Sequence, residues 1–230
     1  MIFDGHSDIF SDVRYKREAG ETQVLKNHHL DRLRKGGIGG ACFVIWADTY
    51  NGHAPKDEME AIVKGIKGEM AETKEFVLIH NVEELKAAEA AGKFAILLGI
   101  EGLAGIGEDL SKIDELYDLG ARHAMLTWNE ENALATGVKG DPNRGVTDLG
   151  KQAIKKLQEK KMILDVSHIN EKSFWDVIDL ATGPILASHS NAKALASAAR
   201  NLTDDQLRAI RDTNGLVGLN AFGDFISDNK

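Results

Sequence analysis

Residues able to bind a metal stand at several strand-like ends of the chain. The first pair is His6-x-Asp8, closing the short run that begins Met1-Ile-Phe. Side chains two apart on a strand share a face, so an imidazole and a carboxylate there can hold one cation. Nitrogen with oxygen suits zinc or a similar divalent metal. Taken alone, the pair is weak evidence and reads more readily as a capped or hydrogen-bonded strand end. Three further apolar runs close the same way, on Glu101, on Ser167-His168 and on Ser188-His189. Singly, Glu101 would be an acid favoured at a helix start, and each histidine a core residue bonded to backbone carbonyls. Together, three histidines and two carboxylates suit two divalent ions, with one carboxylate able to bridge them. Such a pair acidifies a shared water to hydroxide near neutral pH and polarises the carbonyl under attack. That is hydrolysis of an amide, ester or phosphoester. No Gly-x-Ser-x-Gly elbow or Ser-His-Asp set competes for the role. His28, His29, His53, His80 and His123 fall in helices, loops or mid-strand and read as structural or surface residues.

The elements that must position these residues alternate. Continuous apolar runs at 41–46, 94–100, 124–127, 162–166, 185–187 and 216–219 read as buried strands, and 76–79 as a short strand candidate. Between them lie amphipathic helices: Met59, Ile62, Val63, Ile66 and Met70 form one stripe. Asn81 caps a helix over 82–91 ended by Gly92, Asn170 caps the next but two, and Thr203-x-x-Gln206 is a capping box. The stretch 11–26 carries no readable period. Apolar strands alternating with helices predict an α/β fold with a parallel sheet covered on both faces. No Gly-x-Gly-x-x-Gly follows the first strand, which removes the usual dinucleotide reading. Chemistry on successive strand ends favours a (β/α)8 TIM-type barrel.

At 230 residues the chain suffices for a single domain, 1–230, and no linker or repeat divides it. Hydrophobic residues at 43% and charged residues at 28% are an ordinary globular balance. A formal charge of −8 argues against nucleic acid as partner. The lone Cys42 cannot form an intrachain disulfide, and no stretch resembles a signal peptide or membrane span, so a cytoplasmic protein is expected.

The motifs Asp4-Gly-His-Ser-Asp8, Gly99-Ile-Glu-Gly102, Leu126-Thr-Trp-Asn129, Gly145-Val-Thr-Asp-Leu-Gly150, Leu164-Asp-Val-Ser-His168, Ala187-Ser-His-Ser-Asn-Ala192 and Arg200-Asn201 run almost end to end. In that order they resemble the membrane (renal-type) dipeptidase family, zinc dipeptidases with amidohydrolase-like barrels. The resemblance implies two Zn2+ ions, with other divalent metals tolerated: His6, Asp8 and Glu101 hold one, and Glu101, His168 and His189 the other, Glu101 bridging. It implies a dipeptide substrate whose carboxylate is gripped by Arg200, and Trp128 as a wall of the substrate pocket.

The chain also departs from the family. Some members carry a histidine where Trp128 stands. The family's terminal Ser-Asp-Phe-Asp-Gly-type motif, with its acid/base aspartate, is not matched by Gly223-Asp-Phe-Ile. Seven main strands are expected where a closed barrel needs eight. The expectation is a C-terminally shortened barrel of impaired activity, either homo-oligomeric or completed by a second polypeptide. Two other readings stand beside the dinuclear dipeptidase. One is another amidohydrolase-type metal hydrolase, against which His6-x-Asp8 and Glu101 argue, because those enzymes commonly open with His-x-His and bridge through a modified lysine. The other is a non-catalytic metal-binding remnant.

Overall fold

The computed structural model describes residues 1–47 and 52–228. They form two compact units, Met1–Ile100 with Glu115–Arg122, and Glu101–Asp114 with His123–Lys230.

The first unit is built on a parallel sheet in the order β1-β2-β4-β3. Its strands are β1 (Ile2–Ser7), β2 (Ile38–Trp46), β3 (Phe76–Leu78) and β4 (Phe94–Glu101). β2 and β4 are buried along most of their length, as continuous apolar strands covered on both faces must be. Phe10 meets Phe43 edge-on with ring centroids 5.5 Å apart, and Phe94 stacks on Phe43 at 5.5 Å and lies 5.2 Å from Phe76. β3 pairs with the first half of β4, Phe76 to Leu78 opposite Phe94 to Ile96. Further along β4, Leu98 bridges in parallel to Ala121. β3 is thus a short accessory strand, and the seven main strands expected from sequence are all present as β1, β2 and β4 to β8.

Helix α1 (Ile9–Glu18) falls where the sequence showed no period, because only Phe10 and Val13 of its ten residues are buried. A π-helical turn (Leu25–Leu30) leads directly into α2 (Asp31–Lys35). Helix α3 (Pro55–Glu72) begins with proline, whose missing N–H costs nothing at a first turn, and buries Met59, Ile62 and Ile66. It also buries Glu69, whose carboxylate accepts the Val24 and Leu25 amides at 3.0 and 2.9 Å and the Thr73 hydroxyl at 2.9 Å. That carboxylate fixes the turn before α2 to α3. Asn81 caps α4 (Val82–Ala90) by accepting from the Glu84 amide.

The second unit carries the parallel sheet β5-β6-β7-β8: β5 (His123–Met125), β6 (Ile163–Asp165), β7 (Ile185–Ala187) and β8 (Leu216–Val217). β8 is shorter than the run 216–219 expected from sequence. A helix precedes each strand after β5: α6 (Asp148–Glu159), α7 (Glu171–Leu180) and α8 (Asp204–Asp212), while α5 (Lys112–Leu119), most of it counted in the first unit, precedes β5 in the chain. Thr203 and Gln206 make both halves of the capping box of α8, and Asn170 caps α7 through the Ser173 amide. A four-residue helix, α9 (Gly223–Ile226), takes up Gly223-Asp-Phe-Ile. The α/β class and the parallel β/α succession of an incomplete TIM-type barrel are therefore observed. β1 stands at one end of its sheet order and β8 at one end of the other, with Ile2 and Leu216 exposed.

Candidate metal centre

In the first unit, β1 ends at Ser7, and Asp8 is the N-cap residue of α1 rather than the last residue of the strand. The alternation argument for a shared face therefore stops one residue short. The two side chains meet nonetheless: His6 Nε2 lies 3.5 Å from Asp8 Oδ1, and Asp8 makes no side-chain cap bond to the helix. The register between β1 and β2 is irregular between Asp4 and Ser7, and the His6 amide donates to Asp4 Oδ1 at 3.2 Å. A bulge of this kind re-aims a side chain at a strand end.

In the second unit, three of the predicted ligands converge. Glu101 Oε1 is 2.8 Å from His168 Nε2 and 3.6 Å from His189 Nε2, and the two Nε2 atoms are 2.8 Å apart. All three residues are buried. Ligand atoms around a tetrahedral zinc lie about 3.3 Å apart for bonds of roughly 2.0–2.1 Å, and the observed spacings bracket that value. Two imidazoles and a carboxylate are also a chemically apt donor set for a divalent ion.

The ring orientations fit as well. His168 turns Nε2 toward Glu101 Oε1 and His189 Nε2, with Arg200 Nη1 beside the ring at 2.9 Å from Nε2 and 3.3 Å from Nδ1. Its Nδ1 lies 2.9 Å from Asn129 Oδ1. A metal-binding histidine needs this arrangement, with its second nitrogen held by an oxygen acceptor. His189 Nδ1 is held in the same manner by Ser188 Oγ at 2.8 Å. His168 has a left-handed backbone, φ +70°, which a non-glycine residue adopts only where its surroundings enforce it. Arg200 Nη2 donates to the His189 carbonyl at 2.8 Å, and the Trp128 ring centroid lies 5.9 Å from that of His168.

Beneath the ligands is a second polar layer. His123 and Asp165, both buried, share a 2.6 Å hydrogen bond. Asp165 also accepts from the Ser167 amide at 2.8 Å and the Ser188 amide at 3.2 Å, each one residue before a ligand histidine. Burial alone would push the Asp165 carboxyl up. The hydrogen bond and positive charge of His123 outweigh it and hold the carboxyl well below the usual range.

Asn129, Ser188 and Asp165 are the residues that sequence reasoning missed. Asn129 and Ser188 each adjoin a recognised strand-end residue, and that adjacency was the available signal, whereas Asp165 stands three residues before His168, inside the apolar run.

Gly102 follows Glu101 with φ +83°, and a Cβ on it would lie 2.7 Å from the Trp128 amide nitrogen. Gly102→Ala is therefore expected to destabilise by about 1–3 kcal/mol and to displace either Glu101 or Trp128. A lowered urea midpoint checks this, and an unchanged one would show that the Thr127–Trp128 backbone can move aside.

Comparison with known proteins gives the family. The sequence profile of the membrane dipeptidase family (peptidase family M19) matches residues 1–230. The chain belongs to this family. An uncharacterized protein encoded in the PQQ-III 3′ region of Acinetobacter calcoaceticus is 31% identical over 250 residues, covering 95% of this chain and 79% of that protein. An uncharacterized dipeptidase of Schizosaccharomyces pombe is 29% identical over 250 residues, covering 98% of this chain and 60% of that one. Among solved structures, a metallo peptidase from Rhodobacter sphaeroides liganded with a phosphinate mimic of the dipeptide L-Ala-D-Ala superposes with a TM-score of 0.89 at 27% identity. That match covers 99% of this chain and 75% of the other. Membership places the chain among the metallo-dipeptidases, hydrolases that act on dipeptides and depend on metal. Among the described residues, no helix is long and apolar enough to cross a membrane.

Proposed function

We propose that residues 1–230 act as one dinuclear zinc dipeptidase domain, hydrolysing the peptide bond of dipeptides with a metal-activated hydroxide. The observation that carries this reading is the buried Glu101–His168–His189 cluster in a chain of the membrane dipeptidase family. His168 and His189, through Nε2, and Glu101 would hold one ion. His6 and Asp8, already directed at each other, would hold the second together with Glu101. Divalent ions held by these residues would supply hydroxide near neutral pH and Lewis acidity toward the scissile carbonyl.

The chain's own residues supply the rest. Asn129 and Ser188 fix the two rings so that Nε2 is presented and Nδ1 is occupied. Arg200 brings a planar fork of donors beside His168, suited to the free carboxylate of a dipeptide. Trp128 packs on the same ring and forms a wall of the pocket. Metal analysis after dialysis, paired with hydrolysis of alanyl-alanine, tests the reading. Two zinc ions per chain and metal-dependent turnover are expected. Metal binding without turnover would leave a non-catalytic metal protein, and neither would remove the proposal.

Arg200→Lys keeps the charge and loses the fork. It is expected to raise KM for free-carboxylate dipeptides while sparing kcat. Equal loss on a C-terminally amidated dipeptide would make Arg200 a structural residue instead.

A further inference from the structure

The segment after β8 folds back onto the loop that carries His189 and Arg200, and two buried asparagines hold it there. Asn191 Nδ2 and Asn201 Nδ2 both donate to the Phe225 carbonyl, at 3.0 and 2.9 Å. Asn191 also donates to the Asn220 carbonyl at 2.9 Å and accepts the Asn220 amide at 2.8 Å. The Ser197 amide donates to Asp228 at 2.9 Å. Two side-chain donors on a single carbonyl fix that peptide more firmly than its own four-residue helix could. The Phe225 ring then lies under the Arg200 guanidinium, with Cζ 4.9 Å from the ring centroid. Asn201, the next residue in the chain, ties back to Phe225, so Arg200 is held through both its backbone neighbour and its head group.

We propose that Phe225 is a positioning residue for substrate carboxylate recognition. It holds Arg200 so that the guanidinium's N–H edge faces the ligand histidines and whatever binds beside them. The proposal rests on the reading of Arg200 as the carboxylate-binding residue. Its physical basis is that a cation over an aromatic face is attracted through that face while its in-plane donors stay available. Arg200 Nη2 uses one of those donors on the His189 carbonyl at 2.8 Å, and Nη1 lies beside the His168 ring, 2.9 Å from Nε2 and 3.3 Å from Nδ1. Without the ring, a long side chain samples other rotamers and pays that entropy when substrate binds. The cost appears in binding, since no group that touches the scissile bond has changed.

The test compares Phe225→Leu, Phe225→Met and Phe225→Trp in the metal-loaded chain, with alanyl-alanine and alanyl-alaninamide as substrates. Calorimetric Kd values for a phosphinate dipeptide mimic serve as a readout independent of turnover. Phe225→Leu and Phe225→Met should raise KM for alanyl-alanine, and Kd for the mimic, by about two- to fivefold, with kcat unchanged. KM for the amide should stay as in wild type, and Phe225→Trp should restore wild-type values on both. An equal rise on both substrates, a loss confined to kcat, or Phe225→Trp behaving like Phe225→Leu would overturn the proposal. If Arg200→Lys raises KM for the free carboxylate and Phe225→Leu does not, the positioning role alone falls. If Arg200→Lys changes nothing, the reading of Arg200 falls and takes this proposal with it.

Discussion

Glu101→Gln is expected to abolish dipeptide hydrolysis and to lower metal affinity by more than about 100-fold. The benchmark is the cost of removing a residue that only orients a ligand, about 10–100-fold. Glu101 is itself a proposed ligand, and a bridging carboxylate would serve both ions while offsetting their mutual repulsion. Its oxygen lies 2.8 Å from His168 Nε2 in a buried pocket, where water cannot replace the lost charge. Glutamine keeps the shape but places a neutral amide there. By contrast, His168→Asn and His189→Asn each remove a ligand of one ion only, so the second ion should persist. Metal per chain after dialysis, with turnover of alanyl-alanine, separates the cases. Two metals held at wild-type affinity by Glu101→Gln would remove the bridging assignment.

The second large effect is on stability. Asp165→Ala should cost about 3–5 kcal/mol, the usual penalty for breaking a buried charged pair from one side. It strands His123, which is fully buried, and takes the acceptor from the Ser167 and Ser188 amides. Against a typical total of about 5–15 kcal/mol, this removes a large share of the fold's margin.

The acid dependence follows from the direction of the shift. The folded Asp165 carboxyl titrates well below its unfolded value of about 3.9, so its contribution is whole above that pH. It is lost as pH falls from about 4 through the folded value. Urea midpoints of the wild type should therefore drop below about pH 4, with that part of the slope missing in Asp165→Ala. An Asp165→Ala midpoint within experimental error of wild type at pH 7 would show that the network contributes nothing net.

The amino-acid sequence by itself determined the β/α alternation, most of the helix starts and the family. Those features are local. A continuous apolar run such as 94–100, bounded by turn residues, reads as a buried strand, and Asn81, Asn170 and Thr203 cap helices through amides three residues away. The candidate ligands were legible for the same reason, because each stands where an apolar run stops. Helix α1 escaped because its two buried residues leave too narrow a stripe to show a period. Only the tertiary structure decided which polar residues hold the ligands in place. The Asn129–His168 and His123–Asp165 bonds join positions 39 and 42 residues apart, and the Glu69 clasp reaches across 44 to 45. It also decided that Asp8 lies off the strand and that His168 takes a left-handed backbone. The physical reason is range. Periodicity and capping are settled within one or two turns of chain, whereas the satisfaction of a buried polar group depends on which distant strand the fold brings beside it.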